Sequence, residues 1–98
     1  MSAFLELSQD ENPLHCDEVY AQANGYKGRV VYGMLTASFF SRLAGCYLPG
    51  ERCLLQSIDI KFVAPVFVGD ELIVTGTVKE IYRELGIIRV KSEIVKKM

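Results

Sequence analysis

The stretch from Gly33 to Tyr47 constrains the fold of this chain more than any other. It contains no proline and is long enough for about four helical turns. Apolar side chains occur on all its sides, which is typical of a buried helix. Small residues share one face, because positions three or four apart are neighbours on a helix; they are Ala37, Ser41, Ala44 and Gly45. We predict a buried central helix with one face that another backbone approaches closely.

The pattern of apolar residues changes to an alternation of two after Pro49. Residues 56–64, 71–82 and 87–95 have this alternation, which is typical of strands with one covered face. In the second strand the predicted covered face holds Leu72, Val74, Val78 and Tyr82, with Gly76 as a bulge or bend. Turns are predicted at 68–70 and 83–86. The chain is thus predicted to be α+β, with a three-stranded antiparallel meander on one side of the central helix.

The residues before the central helix are predicted to form short elements. Met1–Leu7 is either a short helix or an extended segment. Ser8–His15 is predicted to be a loop, since it is rich in turn-forming and capping residues. Cys16–Ala23 is predicted to be a helix that ends at Asn24 and Gly25.

Composition narrows the class of protein. A chain of 98 residues fits a single domain, 1–98. Its net charge of −1 argues against nucleic acid as a partner, and no apolar run reaches the ~20 residues needed to span a membrane. The three cysteines have no CxxC spacing, so we expect reduced thiols in a cytoplasmic protein and no metal site.

His15 is the one histidine of the chain and lies five residues after Asp10, in a polar segment stiffened by Pro13. A carboxylate and an imidazole together can hold a water molecule and move a proton near neutral pH. The alternative is a loop histidine beside an aspartate that caps a turn. The residues alone leave both interpretations open.

Four segments in order carry a family resemblance. They are Asp-x-Asn-Pro-Leu-His (10–15), Tyr-Gly-Met-Leu (32–35), Leu-Pro-Gly (48–50) and Phe-Val-Ala-Pro-Val-Phe-Val-Gly-Asp (62–70). Between Phe4 and Val95 the chain resembles the MaoC-like (R)-specific enoyl-CoA hydratase and dehydratase family. The resemblance implies a hot-dog fold, a long helix wrapped by an antiparallel sheet. It also implies reversible addition of water to trans-2-enoyl thioesters, which gives (R)-3-hydroxyacyl thioesters.

The resemblance also assigns roles to residues. Asp10 and His15 are expected to activate the water and return the proton, with Asn12 shaping their loop. Gly33, at the start of the central helix, is expected to present its N–H to the thioester carbonyl, where a donor and the helix dipole stabilise developing enolate charge. Ser41 matches a serine near the catalytic pair, with helix packing as its other interpretation.

Two residues depart from the family pattern. Gln9 stands where the family usually has glycine, so the turn before the aspartate carries a side chain. Tyr32 stands where the family usually has histidine. Together with Met34, it is expected to shape the substrate pocket around Gly33 rather than alter the mechanism.

The expected partners follow from the same resemblance. No cofactor is expected, and coenzyme A or phosphopantetheine is part of the substrate, with coenzyme A or acyl carrier protein as the carrier. A homodimer is expected, because half of the residues are hydrophobic and strand edges need cover. The chain is short at both ends for this family, so it is either a compact member or a fragment. The alternatives are a non-catalytic module that binds acyl groups or dimerises, and a hot-dog thioesterase.

Overall fold

Helices form the first half of the chain and a hairpin of strands forms its end in the computed structural model, which describes residues 1–98. The elements are α1 (Ser2–Ser8), α2 (Pro13–Cys16), α3 (Glu18–Ala23), α4 (Gly33–Cys46), β1 (Leu72–Tyr82) and β2 (Ile87–Lys96). This order confirms the α+β class. The chain forms two units, one from Met1–Ala37 and Ile60–Asp70, the other from Ser38–Asp59 and Glu71–Met98. The single domain stays a prediction.

The first two helices are set by local capping. Gln9 ends α1 in the left-handed region, with φ 58° and ψ 23°, and its N–H donates to the Leu5 carbonyl at 2.7 Å. Asn12 begins α2 by accepting the Leu14 N–H at 3.0 Å, and Pro13 takes the first helical position. The predicted loop at Ser8–His15 is therefore wrong from Pro13 onward, because this cap nucleates a helical turn.

The helix predicted at Cys16–Ala23 is interrupted at Asp17. The Asp17 backbone is extended, with φ −123° and ψ 108°, and its carboxylate accepts the Tyr20 N–H at 3.1 Å. A side chain that caps α3 needs a non-helical backbone, so α2 and α3 are separate. The predicted end at Asn24 and Gly25 is confirmed.

Residues 62–70 belong to the same unit as Met1–Ala37, which we call the N-terminal unit. Val31 donates its N–H to the Val66 carbonyl at 2.7 Å, and Val30 forms an isolated antiparallel bridge with Phe67. The turn predicted at 68–70 is confirmed, since the Asp70 carboxylate accepts the Phe67 N–H at 2.9 Å.

The strand predicted at residues 56–64 is wrong. This segment forms no ladder, and several of its apolar side chains are open to solvent, such as Val63 at 92% exposure. Alternation shows that a segment suits one covered face, but a strand also needs a neighbouring backbone with free N–H and C=O groups. The sheet therefore has two strands rather than three.

β1 and β2 pair antiparallel around the predicted loop at 83–86, which is confirmed. The register shifts between Val78 and Glu80, whereas Gly76 pairs regularly with Ser92, so the bulge predicted at Gly76 is wrong. One extra residue reverses the side-chain alternation after it. Tyr82 consequently leaves the face of Val78, contrary to prediction, and its hydroxyl donates to Glu80 on the other face.

Gly76 is required by packing instead. A β-carbon at this position would lie 2.7 Å from Cδ2 of Leu43 and 3.3 Å from Cδ2 of Leu48. The close approach predicted for the small-residue face of α4 is not found at Gly45, where a β-carbon would meet nothing within 4 Å; Gly76 instead contacts the side chain of Leu43, which is not part of that face.

Helix α4 is less buried than its composition predicts. Only Thr36 and Ala37 are buried, and Met34 is 65% exposed. The predicted burial of this helix is therefore not confirmed, since most of α4 is half-buried or exposed. None of the helices is long and apolar enough to cross a membrane.

Candidate active site

A pocket of about 490 Å³ lies in the N-terminal unit. It is lined by Phe4, Ser8, Asp10, His15, Tyr32, Gly33, Met34 and Phe62. Five of the residues predicted from the sequence therefore line one pocket: Asp10, His15, Tyr32, Gly33 and Met34. Phe4, Ser8 and Phe62 were not predicted as site residues.

Asp10 is held in a tight turn between α1 and α2. Its N–H donates to the Ser8 hydroxyl at 3.2 Å, and one carboxylate oxygen, Oδ1, accepts the Asn12 N–H at 3.1 Å. The second carboxylate oxygen makes no hydrogen bond within the chain and can accept one from a bound molecule. The turn thus orients an acid group without using up its accepting capacity.

His15 has a defined tautomer. Its Nδ1 lies 2.7 Å from the carbonyl oxygen of Val30, and a carbonyl can only accept a hydrogen bond. In the neutral ring the proton is therefore on Nδ1, and Nε2 carries a free lone pair. The Val30 carbonyl is fixed in turn, since the Val30 N–H donates to the Leu14 carbonyl at 3.1 Å.

Tyr32 connects both of these residues. Its hydroxyl donates to the backbone carbonyl of Asp10 at 2.6 Å and lies 3.4 Å from Sγ of Cys16. Its ring stacks on His15, with centroids 4.2 Å apart, and lies against Phe4 at 4.8 Å. The hydrogen bond with Cys16 raises the pKa of Tyr32 to about 12, assisted by burial and by the charges of Cys16 and Asp10. Tyr32 is 3% exposed and stays protonated, as a donor, at neutral pH.

Gly33 is the first residue of α4, as predicted. The first N–H groups of a helix have no intrahelical acceptor, so the Gly33 N–H is available to a ligand. A β-carbon here would lie 3.2 Å from Cε1 of Phe62, closer than ordinary contact. Glycine therefore leaves room for the Phe62 ring at the start of α4.

The two remaining predicted site residues do not line the pocket. The Asn12 side chain caps α2, as described above, and its role in shaping the catalytic loop stays a prediction. Ser41 lies two turns after Gly33 and belongs to the other unit, and its role stays a prediction. Ser8 has a local signal, since it is a capping residue two positions before Asp10, but Phe4 and Phe62 reach the pocket through tertiary packing that no local pattern encodes.

Comparison with known proteins identifies the family to which this chain is similar. The family described as MaoC like domain matches residues 1–97. An (R)-specific enoyl-CoA hydratase from Aeromonas caviae is 44% identical over 72 residues, which cover 74% of this chain and 54% of that protein. A mitochondrial 3-hydroxyacyl-[acyl-carrier-protein] dehydratase from Arabidopsis thaliana is 40% identical over 73 residues, which cover 74% of this chain and 43% of that protein. The chain spans about half the length of these curated relatives.

A solved structure agrees with the sequence comparisons. The (R)-hydratase from A. caviae involved in PHA biosynthesis matches with a TM-score of 0.91 and 37% identity, over 97% of this chain and 72% of that one. This likeness confirms the predicted hot-dog fold. The chain belongs to the MaoC-like family.

Proposed function

We propose that this protein catalyses the reversible hydration of trans-2-enoyl thioesters to (R)-3-hydroxyacyl thioesters. The observation that carries the proposal is the convergence of Asp10, His15 and the N-terminus of α4 at Gly33 on one pocket. The similarity to named hydratases and dehydratases supports the same reaction class.

The proposed reaction begins with one water molecule held between Asp10 and His15. The free carboxylate oxygen of Asp10 accepts a hydrogen bond from this water, and Nε2 of His15 accepts a proton as the water oxygen bonds to C3 of the substrate. The π electrons of the double bond move toward the thioester carbonyl as an enolate. The proton then returns to C2, so one water is added and no other reactant is consumed.

Gly33 supplies the stabilisation of this enolate in the proposal. The N–H at the start of a 14-residue helix combines a hydrogen-bond donor with the positive end of the helix dipole. Such a donor acts most strongly on charge that develops in the transition state. Met34 and Phe62 line the pocket beside Gly33 with apolar side chains, which suit an acyl chain.

A single assay with crotonyl-CoA tests this function. Loss of the enoyl absorbance without release of free thiol is the expected result. Release of free thiol would instead assign a thioesterase, and binding without either change would assign a non-catalytic module. Repeating the assay with crotonyl-acyl carrier protein decides which carrier is preferred.

The proposal includes a homodimer in a cytoplasmic setting, with the two sheets joined edge to edge and both central helices on one side. Large exposed apolar side chains support association, including Leu54 at 85% and Val63 at 92% exposure. A two-stranded sheet also has unpaired edges, which proteins usually cover. The three cysteines are free thiols, which suits a reducing compartment.

A further inference from the structure

We propose that Tyr32 is a positioning residue that sets the relative placement of Asp10 and His15, beyond shaping the pocket wall. This inference rests on the proposed hydration reaction, because it concerns the two groups that act on the water. It is carried by the contacts of one buried side chain, and each of its two ends holds a different member of the pair.

The hydroxyl end of Tyr32 holds the loop of Asp10. Its one hydrogen goes to the Asp10 carbonyl at 2.6 Å, since that oxygen can only accept. Sγ of Cys16 lies 3.4 Å from the same hydroxyl oxygen. The hydroxyl thus ties the turn before α2 to the residue that ends this one-turn helix.

The ring of Tyr32 holds the imidazole of His15. The two rings are 4.2 Å apart between centroids and inclined by 29°, a stacked geometry. The hydrogen bond from Nδ1 to Val30 fixes one edge of the imidazole but still permits rotation about that bond. Stacking against a buried ring removes this rotation and fixes the direction of Nε2.

The position of Tyr32 in the chain makes it rigid enough for this role. It is 3% exposed, directly precedes α4, and its carbonyl accepts the Thr36 N–H at 3.1 Å in the first turn of that helix. The Phe4 ring packs against it at 4.8 Å between centroids. Tyr32 therefore holds both proposed catalytic groups in a fixed position relative to α4. The first residue of that helix, Gly33, presents the N–H that is proposed to bind the thioester carbonyl.

Two variants separate the two ends. Tyr32→Phe keeps the ring stack but removes the hydrogen bond to Asp10, and Tyr32→Leu removes both. We expect kcat for crotonyl-CoA hydration to fall roughly tenfold in Tyr32→Phe and about 100-fold in Tyr32→Leu, because small displacements of reacting groups have large effects on rate. KM should stay within about twofold, since positioning acts in the transition state rather than on substrate binding. Tyr82→Phe, which also removes one phenol hydrogen bond, is the matched control and should keep kcat.

A second readout does not depend on activity. His15 is the one histidine in the chain, so its ring protons are assigned in the NMR spectrum without ambiguity. They should keep their ring-current shift in Tyr32→Phe and lose it in Tyr32→Leu, while the Asn12 amide signal should move in both variants. Melting temperatures of the same samples establish that each variant is folded.

The outcomes are distinct for the two proposals. An inactive wild-type protein would overturn the hydratase function, and the NMR signals alone would then decide whether Tyr32 holds Asp10 and His15. An active wild type whose folded Tyr32→Phe variant keeps full kcat would overturn the role of the hydroxyl. A rise in KM with unchanged kcat would show that Tyr32 only contributes to substrate binding. Unchanged His15 signals in a folded Tyr32→Leu variant would overturn the proposed effect of the stacking between Tyr32 and His15.

Discussion

Replacing Gln9 with glycine should stabilise the protein. Gln9 lies at φ 58°, and a residue with a β-carbon in the left-handed region costs about 1–2 kcal/mol. Its side chain is exposed and makes no hydrogen bond in the structure, so nothing offsets this cost. Glycine loses more backbone entropy on folding, which opposes the gain by about 0.4–1 kcal/mol. The expected net stabilisation of Gln9→Gly is about 0.5–1 kcal/mol.

Thermal unfolding followed by circular dichroism measures this difference. A stabilisation of that size corresponds to a rise in melting temperature of roughly 3–6 °C for a chain of 98 residues. Glu6→Gly in the interior of α1 is the matched control, and it should lower stability by about 0.5–1 kcal/mol because its backbone is helical. A Gln9→Gly variant that is destabilised to the same extent as Glu6→Gly would refute the reasoning.

Three further predictions follow from the packing, the ionisation and the exposed surface. Gly45→Ala should stabilise the protein by about 0.5–1 kcal/mol, because the position of the added β-carbon is open. Gly76→Ala should destabilise the protein by about 1 kcal/mol, because the added β-carbon would displace Leu43. Equal effects of the two substitutions in urea unfolding would contradict this prediction. Because folding raises the pKa of Tyr32 from 10.0 to about 12, its contribution to stability should be present below pH 10 and lost between pH 10 and 12. In that range wild type should lose more stability than Tyr32→Phe; an equal loss, or tyrosinate absorbance that shows no step near pH 12, would count against it. Sedimentation at about tens of micromolar should give a dimer, and a compact monomer would speak against association.

The sequence correctly predicted several helix caps and helix ends, because these depend on residues that are close together in the chain. Asn12 caps α2 by accepting the Leu14 N–H two residues along the chain, and α3 ends at Asn24 and Gly25, where the sequence predicts an end. The same is true of the start of α4 at Gly33. Caps and turns are encoded within a few residues, so a sequence pattern is sufficient to place them.

The errors involve interactions between distant parts of the chain. The alternation at 56–64 satisfies a strand pattern, but no neighbouring backbone pairs with it. The bulge at residues 78–80 reverses the side of Tyr82, and glycine marked the wrong position because Gly76 is needed for packing against Leu43. Five of the seven candidate site residues line one pocket, whereas Asn12 and Ser41 do not. The contacts of Tyr32 span 22 residues to Asp10 and 17 residues to His15, so they have no local signature.

The most direct test of the catalytic proposal is a double-mutant comparison at Asp10 and His15. Crotonyl-CoA hydration and melting temperature are measured for Asp10→Asn, His15→Ala and the double variant. Each single change should lower the rate by about 100- to 10,000-fold with little loss of stability, and the double variant should be little worse than either, because the two groups act on one water as a unit. Full activity with a stability loss of about 1 kcal/mol in Asp10→Asn, the effect expected for a turn cap, would contradict the account.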